Sequence, residues 1–447
     1  MNDEIGIVRR VNGQLAFNFF FIDRILDYLL SWKIKPYLEL SFMPTALASG
    51  TTQIFAYRAN ITMPREMTEW ETMISCLVRH LIDRYTLAEV RTWFFEVWNE
   101  PDIEDFWANS YHDYLALYQC TSRAIKEIDS QLRVGGPAGS SVIFQTQRPL
   151  EDFLDDVVAN QLPLDFISVH PYPTEFLKPE GRSRQLEHML NTQQMCKWVQ
   201  WSRNRADQRG LGGIPLHLNE WNSSPRFTDY VHDTAFMATF VIENALALSN
   251  YTDMLGWWTV SDLFDEGGVV TEEFGGGFGL INRSGIKKPA FFGTWALSRL
   301  SERCYSVGDG YIVTGGDSCL QVLLWNHVFY TRAYASGDKS TLGYSDRYGA
   351  FESAPSKSYR IFLPGFEGQS IQLTRSVFDR DHGSAYDDWL RNGAVEHMTE
   401  EETQILLDKT HLLTENRFMR DGAGLVLEET VPPFGFVLYE IKTISQK

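Results

Sequence analysis

The sequence predicts an α/β chain: a barrel of parallel strands and crossover helices, followed by an all-β sandwich. Three observations carry this. Up to about residue 302, segments of helical periodicity alternate with short apolar runs of strand length, the pattern of a parallel sheet with crossover helices. From about residue 303 short alternating runs appear, punctuated by Gly, Asp and Pro, which reads as a sandwich. No G-x-G-x-x-G follows the first strand, so a barrel is favoured over a dinucleotide-binding fold. The expected division is therefore 1–302 and 303–447.

Taken in order, Phe21 to Trp32 is an amphipathic helix with Ile22, Ile25, Leu26 and Leu29 on its apolar face. Lys35-Pro36 ends it, and Tyr37 to Phe42 is a strand stopped at Met43-Pro44. Glu66 to Tyr85 is helical, Trp93 to Trp98 a strand, and Tyr111 to Asp129 a helix that Asn109 or Ser110 can cap. Leu132 to Gly136 is a short strand. Glu151 to Asn160 is a helix, Asp165 to His170 a strand, and Arg184 to Arg205 a long helix. Ile214 to Asn219 (strand), His232 to Leu248 (helix), Met254 to Val260 (strand) and Lys288 to Leu300 (helix) complete this part. The expected sandwich strands include Gly310 to Thr314, Leu320 to Trp325, Tyr359 to Phe362 and Phe434 to Ile441. This reading opens on a helix and finds six barrel strands, whereas a closed barrel of this class has eight.

The 447 residues are 44% hydrophobic and 14% aromatic, enough for one large domain and a smaller one. The net charge of -18 argues against nucleic acid and anionic membrane as partners. The five cysteines are scattered without a CxxC pair, so neither a disulfide framework nor a zinc site is expected. No secretory signal and no long uncharged apolar run is visible, which makes the cytoplasm the default location and a membrane span unexpected.

Two carboxylates carry the chemistry. Glu100 closes Phe94-Phe95-Glu96-Val97-Trp98-Asn99-Glu100-Pro101, and Glu220 closes Pro215-Leu216-His217-Leu218-Asn219-Glu220. Carboxylates at the C-terminal ends of parallel strands stand where a barrel enzyme keeps its catalytic groups, and a facing pair is what glycoside hydrolysis requires. The alternative for Asn99-Glu100 is a polar strand end. Against it, burying two polar groups there is costly unless they are used. Asn219, Trp221 and Asn222 around Glu220 suit a nucleophile held ionised. Glu39 and Glu96, also on strands, read as structural. His170 ends another strand and could bond a sugar or a catalytic carboxylate, or be a packing group. Trp257-Trp258 could stack on a sugar. Asp262, Asp265 and Glu266 could grip hydroxyls, or form a solvated acidic loop. Gly275 to Gly279 lacks the Lys-Ser/Thr of a phosphate loop and reads as a structural turn. His170, His217 and His232 lack H-E-x-x-H spacing, and no G-x-S-x-G occurs.

At this point the chain resembles family 39 of the glycoside hydrolases, the β-xylosidase and α-L-iduronidase family. The matching stretches are Pro36 to Gly50, Arg91 to Asp102, Val231 to Ala235, Trp258 to Glu266 and Gly276 to Leu280. The similarity runs nearly end to end, into Ser376 to Gly393, and favours the xylosidase branch. It implies a TIM-type (β/α)8 barrel, catalytic, with the sandwich as an accessory domain. It also implies a retaining hydrolase that removes terminal β-D-xylosyl residues from xylo-oligosaccharides or β-xylosides. Glu100 would be the acid/base, at the end of the family's fourth strand, and Glu220 the nucleophile, at the end of the seventh. Asn99 would bond the sugar 2-hydroxyl, and Phe42, His170, Tyr172, Trp258 and Glu266 match substrate-pocket positions. No cofactor or metal is implied, and the partner is a small oligosaccharide. A homo-oligomer is compatible with the sequence.

The departures are specific. The chain is expected to start after the family's second strand, near Asn2-Asp3-Glu4. The barrel is therefore expected to be incomplete, lacking its first two strands and a pocket His that the second carries. Asp265 stands for a family Glu and Pro225 for a Tyr. Two alternatives stay open: a truncated, weakly active or inactive carbohydrate-binding or sensor module, and another exo-glycosidase of the same fold.

Overall fold

An Asn-Gly pair opens the fold. Val8–Val11 (β1) and Gln14–Phe17 (β2) pair antiparallel around Asn12-Gly13, whose φ values of 51° and 81° are those a two-residue hairpin turn demands. The chain thus begins on a hairpin, not on the helix expected from periodicity. The computed structural model describes residues 6–177, 186–264, 270–316, 319–340, 342–420 and 424–444.

After the hairpin come helix α1 (Phe20–Ser31) and strand β3 (Tyr37–Glu39). Helix α2 (Met67–Tyr85), strand β4 (Phe94–Glu96), helix α3 (Tyr111–Ile128), strand β5 (Arg133–Gly139), helix α4 (Arg148–Ala159) and strand β6 (Phe166–Val169) repeat the unit. Ser110 caps α3 through a reciprocal bond with Asp113, one of the two caps the sequence offered. Next comes a difference. Thr174–Leu177 (β7) and Leu186–Met189 (β8) pair as a hairpin, so the long helix expected from Arg184 starts only at Thr192, as α5 (Thr192–Asp207). Asn191 caps it, a local bond that outweighs the continued apolar spacing upstream. Strand β9 (Leu216–Trp221), helix α6 (Phe236–Leu248), strand β10 (Met254–Trp257) and helix α7 (Pro289–Ser298) follow.

Strands β3, β4, β5, β6, β9 and β10 lie side by side in that order in one six-stranded sheet, each neighbouring pair parallel. Alternation fills the concave side in layers. The lowest is aromatic: the Tyr37, Phe94, Phe166 and His217 rings pack with centroids 4.8–5.9 Å apart. Above it stand Glu39, Glu96, Ser168 and Asn219, two residues further along the same strands. Such layered filling makes the interior of a barrel a packed core. At the sheet margins, β3 and β10 each leave one edge without a strand partner among the described residues. Only Leu26 of α1 is buried, and Phe21, Ile25, Tyr28 and Trp32, at helical spacing, are exposed.

From Arg303 the chain is mostly antiparallel. Arg303–Gly308 (β11), Tyr311–Gly315 (β12), Cys319–Trp325 (β13), Lys357–Leu363 (β14) and Ser370–Phe378 (β15) come first. Helices Ala385–Arg391 (α8) and Glu400–Lys409 (α9) then precede Leu413–Arg420 (β16), Leu425–Val431 (β17) and Phe436–Thr443 (β18). A six-stranded sheet, β11-β12-β13-β18-β15-β16, faces the two-stranded β14-β17. Their inward residues, among them Val322, Leu363, Ile371, Leu427 and Ile441, share one core. This part is therefore a lopsided sandwich, joined to the barrel through buried charge. Arg347 is fully buried and its guanidinium meets Asp233 at 2.7 Å. Lys288, equally buried, stands between Asp233 at 2.6 Å and Asp262 at 3.1 Å.

Candidate active site

Two strand ends bring the site together, and each departs from regular pleating to do so. Beyond β4 the backbone turns left-handed at Trp98 (φ 71°) and Glu100 (φ 44°), a conformation that costs about 1–3 kcal/mol per residue. It is held by the Glu100 N–H donating to Ala138 O at 3.0 Å and the Trp98 indole donating to Phe106 O at 3.0 Å. On β9 the register with β10 shifts between Leu218 and Trp221. Such a bulge re-aims side chains, and here both Asn219 and Glu220 turn to the concave side.

Between the carboxylates lies His170, fully buried at the end of β6. Its Nδ1 is 2.8 Å from Glu100 Oε1 and 3.7 Å from Glu220 Oε2. The Tyr172 hydroxyl donates to Glu220 Oε1 at 2.6 Å. One donor atom each from Glu100, His170 and Glu220 lie within 4.8 Å of one another. These are the one such group among the described residues that could hold a cation. Asp102 anchors the loop after Glu100, accepting from Ser140 N at 2.8 Å and Ser140 Oγ at 2.6 Å.

The carboxylates open into a cleft of about 410 Å3, walled by Ile103, Asp105, Phe106, Phe176, Arg226 and Phe278 among others, within the usual size of a small-ligand site. Burial pushes the Glu220 carboxyl up to about 8, and the nearby Glu100 charge adds to this. The His170 ring and the Tyr172 hydroxyl pull the other way. The sequence context suggested an ionised Glu220, whereas burial favours its neutral form.

The structure brings together Glu100, Glu220, His170 and Tyr172. Asn99 is adjacent, its Oδ1 buried without a partner in the protein, as is His170 Nε2. Phe42 stands behind the cleft, 7% exposed, stacked on Phe106 at 6.0 Å and edge-on to Trp98 at 5.8 Å. Trp258 sits edge-on against Phe264 at 5.1 Å. Neither Phe42 nor Trp258 is among the residues that wall the cleft. Glu266 and Asp265 lie outside the described residues. Asp262 is neither a hydroxyl grip nor a solvated group: it is 2% exposed and held by Lys288 and the Gly279 N–H. Sequence reasoning missed the cleft wall. Phe106, Ser141 and Arg226 follow strand ends by several residues, so only their position in loops after β4, β5 and β9 could have flagged them.

Known proteins are similar to this chain in sequence and fold. The sequence profile described as glycosyl hydrolases family 39 matches residues 1–421. A β-xylosidase of Geobacillus stearothermophilus is 31% identical over 434 residues, covering 94% of this chain and 81% of that protein. A β-xylosidase of Caldicellulosiruptor saccharolyticus is 41% identical over 304 residues, 67% of this chain and 60% of that protein's length. A crystal structure of a monomeric β-xylosidase from Caulobacter crescentus superposes with a TM-score of 0.88 at 27% identity, covering 99% of this chain and 88% of the other.

Proposed function

Since the chain belongs to glycosyl hydrolases family 39, we propose that it removes terminal β-D-xylosyl residues from xylo-oligosaccharides or β-xylosides with net retention of configuration. The observation that carries this is the approach of the Glu100 and Glu220 oxygens to within 4.8 Å around His170. Retaining hydrolases hold their carboxyls about 5–5.5 Å apart, whereas inverting ones need roughly 6.5–9.5 Å to admit a water.

In this reading Glu220 attacks the anomeric carbon while Glu100 gives its proton to the departing oxygen, so the glycosidic bond breaks as the glycosyl ester forms. Glu100, now ionised, takes a proton from water. The resulting hydroxide equivalent attacks the same carbon and frees Glu220. The free site needs one proton on the pair, held by Glu100. The Tyr172 hydrogen bond and the nearby His170 ring favour the charged form of Glu220 against its burial. Asn99, with its unpartnered Oδ1, bonds the 2-hydroxyl. The family resemblance also assigns Phe42, Trp258 and Glu266 to the sugar pocket, although Phe42 and Trp258 stand outside the walls of the cleft. Residues 1–302 carry the chemistry and 303–447 act as accessory.

We read the six-stranded sheet as a barrel two strands short of eight. The outer edges of β3 and β10, unpaired among the described residues, and the exposed apolar stripe of α1 support this. The test is hydrolysis of an aryl β-D-xyloside by the 447-residue chain, with Glu220→Ala as blank and the first-formed anomer read by NMR. Turnover above the blank with β-xylose as first product is expected. The α-anomer first, or turnover unaffected by Glu220→Ala, overturns the assignment.

A further inference from the structure

Below the catalytic carboxylates the barrel holds a second polar layer that the proposed chemistry does not use. Glu96 is fully buried on β4, four residues before Glu100. Its Oε2 accepts a 2.8 Å hydrogen bond from Nδ2 of Asn219, the residue before Glu220. Strands β4 and β9 are not neighbours: β5 and β6 lie between them. The bond therefore crosses the interior rather than running along the sheet. Around it, the Tyr37 hydroxyl donates to Glu96 Oε1 at 3.3 Å. Glu39, level with Glu96 on the adjacent strand, accepts from Ser41 Oγ at 2.6 Å.

This layer also sits where room is scarce. Gly135 of β5 is level with Glu96, and a Cβ there would lie 2.2 Å from Phe166 O. The aromatic layer beneath touches Phe94 to His217 at 4.8 Å. Two contacts thus brace β4 against β9 from inside, and only the Glu96–Asn219 one lies next to the carboxylates.

We propose that Glu96 is a positioning residue whose cross-barrel hydrogen bond to Asn219 sets the separation of Glu100 and Glu220. The inference rests on the retaining-hydrolase reading, which depends on that separation. Displacing a reacting group by about 1 Å can cost about 100-fold in rate. The bond requires an acceptor at this place, not a charge. Burial and the neighbouring Glu39 raise the Glu96 carboxyl to about 8, so a neutral amide is a fair replacement for it.

The experiment compares Glu96→Gln with Glu96→Leu on an aryl β-D-xyloside, with folding checked by near-UV circular dichroism. The Gln variant keeps the acceptor and is expected within about 3-fold of the parent. The Leu variant is expected to lose about 10- to 100-fold in kcat, with KM within 2-fold. Its kcat/KM bell should narrow, because carboxyls that move apart repel each other's ionisation less. Asn219→Leu should reproduce the loss, and the double variant should be no worse than either alone. If Glu96→Leu does not fold, Asn219→Ala against Glu96→Gln decides the matter by the same readouts. Equal losses in Gln and Leu, or no loss in folded Leu, overturn the inference while the parent's turnover upholds the hydrolase reading. A parent that neither turns over nor is labelled at Glu220 by a 2-fluoro-xyloside overturns both.

Discussion

His170 Nδ1 lies 2.8 Å from Glu100 Oε1, so the acid/base of the proposed reaction is held by an imidazole that no solvent reaches. The same nitrogen is 3.7 Å from Glu220. One ring therefore stands between both carboxyls, and substitutions around it should alter the rate.

Removing the acid/base should discriminate between leaving groups. Glu100→Ala should slow a substrate with a poor leaving group by about 100- to 10,000-fold, and an activated aryl glycoside far less in its first step. Steady-state and pre-steady-state rates on a matched series of xylosides measure this. Equal losses across the series would remove Glu100 from the acid role.

Tyr172→Phe deletes a hydrogen bond to the charged form of Glu220. That bond lowers the Glu220 pKa, and burial raises it, so its loss moves the pKa further up. The acid limb of kcat/KM should shift to higher pH, with about a tenfold loss of rate below it. An unmoved limb would mean that Tyr172 only shapes the pocket.

Protein stability should also report the buried carboxyls. Glu96 rises from 4.5 to about 8 in the fold. Between those values the folded chain binds more protons than the unfolded one, so stability falls as pH rises through this window, by at most about 1.4 kcal/mol per unit. Glu96→Gln removes that group. Its melting temperature relative to the parent should climb from pH 5 to pH 8 and level off above. A constant difference would show that Glu96 keeps its charge in the fold.

Lys288 is fully buried between Asp233 and Asp262. Replacing it by Met leaves Asp262 without a cation and Asp233 with Arg347 alone. The expected cost is about 3–5 kcal/mol, read by urea unfolding. Lys357→Met, at the exposed pair with Asp309, should change little.

What the sequence by itself determined is the order of most elements and the strand ends at which Glu100 and Glu220 stand. Helical spacing and short apolar runs depend on neighbours a few residues away, and the ends of β4 and β9 carry Glu100 and Glu220 as expected. Local chemistry also decided two places where periodicity misled: Asn12-Gly13 makes a hairpin before α1, and the Asn191 cap delays α5. Only the tertiary structure decided what touches what. The Glu96–Asn219 bond joins residues 123 apart in sequence. The burial of Asp262 depends on a lysine 26 residues on. Phe42 proves to stand behind the cleft and Arg226 in its wall. The raised Glu220 carboxyl has the same origin: desolvation is a property of everything that closes around a side chain, and no run of adjacent residues encodes it.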